Sequence, residues 1–108
     1  MDELTFHKRA DESLHDLFQA LNRATDEYDL EADMNAGALT VEFEHPKAKF
    51  VVSPNSPVRQ IWVSANVKSY KLDWDDASGA FVLPATRQSL KELMADAIGH
   101  HLGEEVEL

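Results

Sequence analysis

Pro57-Val58-Arg59-Gln60-Ile61-Trp62-Val63-Ser64 is the stretch on which the fold turns. Its residues alternate as in a strand, with Ile61 and Val63 on one side and Gln60, Trp62 and Ser64 on the other. If the aliphatic side faces the core, the tryptophan stands on a polar face. There a large ring serves as an anchor for a partner. The alternative is a second layer that covers Trp62 and makes it ordinary core. The rest of the chain decides how many layers exist.

Upstream, strand patterns are separated by turn residues. Asp29, Glu31 and Asp33 alternate with Leu30, Ala32 and Met34, which predicts a first strand with an acidic outer face. Asn35-Ala36-Gly37 is a tight turn, because Asn and Gly tolerate positive φ. Ala38 to Glu44 follows with Leu39, Val41 and Phe43 inward. His45-Pro46-Lys47 turns the chain into a third strand, Ala48 to Ser53, with Phe50 and Val52 on one side. The prolines make Pro54 to Pro57 a loop.

Downstream, Asn66 marks a turn. Val67 to Trp74 is a strand with Tyr70, Leu72 and Trp74 on one face and Lys71 and Asp73 on the other. Asp75 to Gly79 is a turn cluster, and Ala80 to Leu83 is a short last strand stopped by Pro84.

A helix is predicted at each end. Phe6, Ala10, Leu14, Leu17 and Leu21 form one apolar stripe over residues 3–24, with Phe18 on its flank. Ser89-Leu90-Lys91-Glu92 has the pattern of a capping box. Leu90, Leu93, Met94, Ala97, Ile98 and His101 trace the stripe behind it, Gly103 ends it, and Val106 and Leu108 of the tail lie against the helices. Short turns imply antiparallel neighbours. Two helices with one stripe each cover one sheet face, so the other is bare. The expected fold is α+β, a two-layer α/β sandwich: an antiparallel sheet of five to six strands with the N- and C-terminal helices on one face. Residues 1–108 form one domain, and Trp62 faces water.

Composition narrows the function. With no cysteine, disulfides and thiolate metal sites are excluded. No apolar run approaches the ~20 residues of a membrane span, and the charged start is not a secretory signal. A soluble, cytoplasmic chain is expected, with no membrane role. A net charge of −10 argues against nucleic acid and favours basic protein surfaces or cations. Residues 1–33 hold ten acids against three bases, whereas residues 34–108 hold ten against seven.

Within that acidic third, Asp26, Glu27, Asp29, Glu31 and Asp33 lie close together. Same-face strand carboxylates roughly 7 Å apart are hard oxygen donors for a hydrated divalent or ferric ion. They are equally a solvated acidic surface. His7, Asp11 and His15 recur every four residues; the two histidines are roughly 12 Å apart, too far to share one ion easily. His101 reads as a partly buried packing residue. No nucleophile–base pair, phosphate loop or carboxylate pair in an apolar pocket is present, so metabolic enzyme chemistry is not expected.

The chain resembles the frataxin family, and is most similar to its bacterial type. The resemblance rests on Asn35-Ala36-Gly37-Ala38-Leu39-Thr40-Val41, the Pro57 to Ser64 stretch, Tyr70-Lys71-Leu72-Asp73-Trp74 and Ser89 to Met94, and runs from about Thr5 to the C-terminus. It implies a twisted sandwich, a role in iron–sulfur cluster assembly, and weak iron binding along an acidic ridge. The implied partners are the cysteine desulfurase and the cluster scaffold protein. Iron as Fe2+ or Fe3+ is the implied metal, with other divalent cations as substitutes. The implied ridge is Asp11, Glu12, Asp26, Glu27, Asp29, Glu31 and Asp33, with Asp16 as a neighbour; the implied partner surface is Asn55, Gln60, Trp62 and Lys71. Gln19, Asn22 and Arg23 stand where the family carries more acids, which moves the expected metal site toward the helix–strand junction. Lys71 replaces what is often Arg or His, and Ser53 what is usually Asn. The resemblance also implies a monomer that can oligomerise with iron. Its alternative reading is an iron chaperone or storage protein with ferroxidase activity.

Overall fold

Asp2 starts the first helix by accepting the backbone N–H of Thr5 on its carboxylate at 2.7 Å. In the computed structural model, which describes residues 1–108, helix α1 then runs Glu3–Ala24. Its stripe is buried as expected, from Phe6 through Ala10, Leu14 and Leu17 to Leu21. Six strands follow: β1 Glu31–Asn35, β2 Ala38–Glu44, β3 Lys47–Asn55, β4 Gln60–Ala65, β5 Lys68–Asp75 and β6 Ala80–Val82. Helix α2, Leu90–Leu102, closes the order. The sheet is antiparallel throughout, with the strands side by side in chain order.

Both helices lie on one face. Leu39, Val41 and Phe43 of β2, Phe50 and Val52 of β3, Ile61 and Val63 of β4, and Leu72 of β5 all pack into one cluster with the stripes of α1 and α2. Every fully buried side chain in the protein is apolar. The opposite face carries Glu42, Glu44, Lys49, Trp62, Ser64, Ser69 and Lys71 in the open. One layer of helices is therefore present and the second layer is not.

The ends of α2 are fastened as its sequence predicts. Ser89 Oγ accepts the Glu92 N–H at 3.3 Å, and the Glu92 carboxylate accepts the Ser89 N–H at 3.0 Å. That backbone hydrogen bond, helped by the Ser89 hydroxyl, holds the Glu92 carboxyl below its ordinary value of 4.5. A lowered carboxylate favours the fold above its ordinary value, and the benefit is lost as pH falls through the lowered one. Gly103, at φ 74°, ends the helix. His101 packs at a tilt against Phe43 with ring centroids 4.5 Å apart, and its Nε2–H donates to the Pro46 carbonyl at 2.8 Å. It is the packing residue its position in the stripe suggests. Val106 and Leu108 lie against the core cluster.

Several boundaries differ from expectation. Strand β1 begins at Glu31, because Tyr28 still bonds back to Ala24 and Leu30 to Tyr28, so Asp29 belongs to the coil that follows α1. Strand β3 continues through Pro54 to Asn55. Its pairing with β2 stops at Val52, so from Ser53 onward β3 has a neighbour on one side only, where proline's missing N–H is tolerated. Pro57 and Val58 are in a 3₁₀ turn over Ser56–Val58, and Arg59 is left-handed, so β4 starts three residues into the Pro57 to Ser64 stretch. In the β1–β2 turn Ala36 and Gly37 take positive φ, and Asn35 closes the strand.

The β4–β5 turn carries Asn66 at φ 51° and Val67 at φ 64°. Asn66 is suited to this and ties the turn to α2 by donating to the Ala97 carbonyl at 3.1 Å. Val67 is β-branched, strained at that φ and fully exposed. Relieving the strain is worth ~1–2 kcal/mol, less ~0.5–1 kcal/mol for the entropy of glycine. Val67→Gly is expected to raise the unfolding free energy by about 1 kcal/mol in denaturant titration; a loss of stability would refute the strain.

Candidate functional site

Register brings the implied partner residues together on the bare face. Trp62 of β4 lies between Ser53 of β3 and Lys71 of β5, and Gln60 lies between Asn55 and Asp73. Because side chains alternate, burying Ile61 and Val63 on the helix side obliges Gln60, Trp62 and Ser64 to face away. Trp62 is 38% exposed while Ile61 beside it is 0% exposed. A hollow of about 360 Å³ lies next to the ring, lined by Val51, Ser53, Ser64, Ser69 and Lys71 among others.

The ring is held by its neighbours. The indole N–H donates to Gln60 Oε1 at 3.0 Å, and Gln60 Nε2 donates to an Asp73 carboxylate oxygen at 2.9 Å. The Lys71 ammonium sits 4.9 Å from the ring centroid, within cation–π range. The second tryptophan differs. Trp74 points to the helix side, packs edge-on against Phe81 and gives its N–H to Asp76 at 2.8 Å, with the Arg9 guanidinium 5.4 Å from its ring.

The acidic residues fall into two groups. On α1, Glu12 pairs with Arg9 at 3.7 Å and Asp16 pairs with Lys91 of α2 at 3.3 Å. At 100° per residue, Asp11 is on the flank of α1 opposite Asp16. Asp26, Glu27, Asp29, Glu31 and Asp33 follow one another from the end of α1 into β1, all exposed and none with a basic group within 4 Å. Glu31 and Asp33 share the bare face, where Glu31 is opposite Glu42 and Glu42 is opposite Lys49. No three His, Asp or Glu side chains gather closely enough to hold one ion. His7 is turned to Glu3 at 3.7 Å and Ser56 at 3.4 Å, not to Asp11 or His15. A cation at the ridge would therefore be met as a hydrated ion in a negative field, not in a closed set of ligands.

Asp73 and the hollow were not singled out by sequence reasoning as part of the surface. Asp73 was legible in principle: a two-residue Asn66-Val67 turn sets Trp62 opposite Lys71 and therefore Gln60 opposite Asp73. The hollow depends on side-chain sizes across three strands and has no local signal.

A sheet roofed on one side by a terminal helix pair, with a bare face around one locked tryptophan and an acidic edge, defines a two-layer α/β sandwich built around an exposed surface. The Frataxin-like domain pattern matches residues 1–104. The chain is 33% identical to the "Iron-sulfur cluster assembly protein CyaY" of Azotobacter vinelandii, covering 99% of this chain and 94% of that one. It is 34% identical to the protein of the same name from Pseudomonas aeruginosa, covering 99% and 96%. The chain belongs to the frataxin family and is of the bacterial type. Among solved structures, the fold is similar to frataxin from Psychromonas ingrahamii, with a TM-score of 0.77 at 23% identity over 99% of this chain and 97% of that one. Yeast frataxin is similar at a TM-score of 0.71 and 17% identity, over 92% and 81%. No helix is long and apolar enough to cross a membrane.

If Trp62 belongs to the surface and not the core, Trp62→Ala costs the isolated domain only about 1 kcal/mol. Ile61→Ala, one residue away, costs ~2–5 kcal/mol. Urea unfolding of the two variants checks this, and a loss of 3 kcal/mol or more for Trp62→Ala would return the ring to the core.

Proposed function

We propose that the chain serves iron–sulfur cluster assembly as a docking protein that engages the cysteine desulfurase and the cluster scaffold and binds iron weakly. The names of its bacterial relatives support the pathway. The observation that carries the docking role is the bare sheet face with Trp62 exposed at its centre and held by Gln60.

The two parts of the surface have different physical jobs. The unpaired acids from Asp26 to Asp33 project a negative field that speeds encounter with a basic partner patch and weakens with salt. Trp62 supplies a large desolvated contact once the partners touch, which slows release. Asn55, Gln60 and Lys71 surround it with polar groups that fix orientation.

Iron enters as cargo. A ferrous ion near Asp29, Glu31 and Asp33 relieves their mutual repulsion and is held through water, so its affinity is low. The same charge neutralisation weakens steering toward a basic partner. Metal and partner binding are therefore linked, and each changes the affinity of the other by the same factor. Glu12 and Asp16, already paired with Arg9 and Lys91, contribute less than the junction acids. The storage and ferroxidase reading needs carboxylates that converge, and gains no support from this arrangement.

Surface-immobilised desulfurase–scaffold complex, titrated with wild type and variants at several salt concentrations with and without Fe(II), tests the proposal. A triple variant carrying Asp29→Asn, Glu31→Gln and Asp33→Asn is expected to associate about tenfold more slowly and lose most of its salt dependence. Trp62→Ala is expected to dissociate ~30-fold faster. Unchanged kinetics in both would remove the basis of the docking role.

A further inference from the structure

We propose that Asp73 is the positioning residue of the Trp62 surface, acting through Gln60; the proposal rests on the docking role given to Trp62 above. The chemistry of the three groups permits one arrangement. The indole Nε1–H can only donate, and the Asp73 carboxylate can only accept. The Gln60 amide between them does one at each end. With Nε2 on Asp73 at 2.9 Å, its carbonyl oxygen is directed to the indole at 3.0 Å. The reversed amide would set oxygen against oxygen at Asp73 and N–H against N–H at Trp62. Asp73 therefore selects the amide orientation that receives the indole.

The chain of bonds crosses from β5 to β4, since Asp73 is the register partner of Gln60. Lys71, two residues from Asp73 on the same face, presses the ring from β5 as well. The indole is thus held by side chains of both strands, and it forms one wall of the hollow beside it. Its N–H is occupied within the molecule. The residue offers a partner the ring and its edge, not a hydrogen bond. Without Asp73 the Gln60 amide is free to turn, the indole loses its fixed acceptor and the wall moves.

Two substitutions separate orientation from charge. Asp73→Leu removes both the charge and the acceptor, whereas Asp73→Asn removes the charge and keeps an oxygen acceptor, and the donor-only indole still fixes which end of the Gln60 amide faces it. On the isolated, 15N-labelled chain, the indole N–H signals of Trp62 and Trp74 are distinguished with Trp62→Phe. Solvent exchange of the Trp62 indole N–H is expected to speed up about 3- to 10-fold in Asp73→Leu and by less than about 2-fold in Asp73→Asn, with the Trp74 signal unmoved. Affinity for the desulfurase–scaffold complex is expected to fall about 3- to 10-fold further in Asp73→Leu than in Asp73→Asn. An indole signal unchanged in Asp73→Leu, or changed equally in both variants, overturns the positioning role even where Trp62→Ala weakens binding. If Trp62→Ala binds as wild type, the docking role fails, while the indole exchange on the isolated chain still decides what Asp73 does.

Discussion

Packing of two apolar helix stripes onto one side of a six-stranded sheet is the constraint on which the rest depends. Phe6, Leu14 and Leu17 of α1 and Leu93, Met94 and Ile98 of α2 meet Val41, Phe50, Ile61, Val63 and Leu72 in a single dry cluster. No polar side chain is fully buried in it, so nothing there requires a compensating partner. A strand has two faces, and burying one assigns the other to water. The surface residues are thereby placed by the core beneath them. Trp62 points outward because Ile61 and Val63 point inward, and Asp73 meets Gln60 because Leu72 and Ile61 are register partners below.

The bare face is uneven in charge and rigidity. At the β1 edge the acids have no basic partners within 4 Å, and their repulsion is left standing in the folded protein. In the middle of the sheet the side chains are tied to one another by a hydrogen bond along β4, and across to β5 by a second hydrogen bond and a cation–π contact. In the docking role proposed above, a charged margin acts at a distance and an aromatic centre acts on contact. Val67, the one β-branched residue at positive φ, lies at the turn between the two strands that carry the aromatic centre.

Much of this architecture was legible in the sequence. Strand β2 runs from Ala38 to Glu44 as its alternation predicts, α1 covers residues 3–24, and the Ser89–Glu92 capping box and Gly103 bound α2 as read. Two helices with one apolar stripe each cover one sheet face, which leaves Trp62 exposed as expected. What failed was set by backbone detail and by long-range pairing. The prolines predict a loop from Pro54, yet β3 has already lost its β2 neighbour there and tolerates a residue without an N–H. Asp29 alternates correctly with Leu30 but precedes β1, because the chain is still coiling out of α1. Asp16, which the resemblance adds beside the ridge, is exposed on α1 and ion-paired. Its partner Lys91 is 75 positions away, beyond the reach of any local pattern.

Chemical-shift mapping of the 15N-labelled chain titrated with the desulfurase–scaffold complex shows which face docks. Perturbed amides are expected to gather on β3, β4 and β5 around Asn55, Trp62 and Lys71 and extend to the β1 edge at Glu31 and Asp33, while the outer surface of α2 stays silent. Perturbations concentrated on α2, with the Trp62 indole signal unmoved, would contradict docking by the bare face.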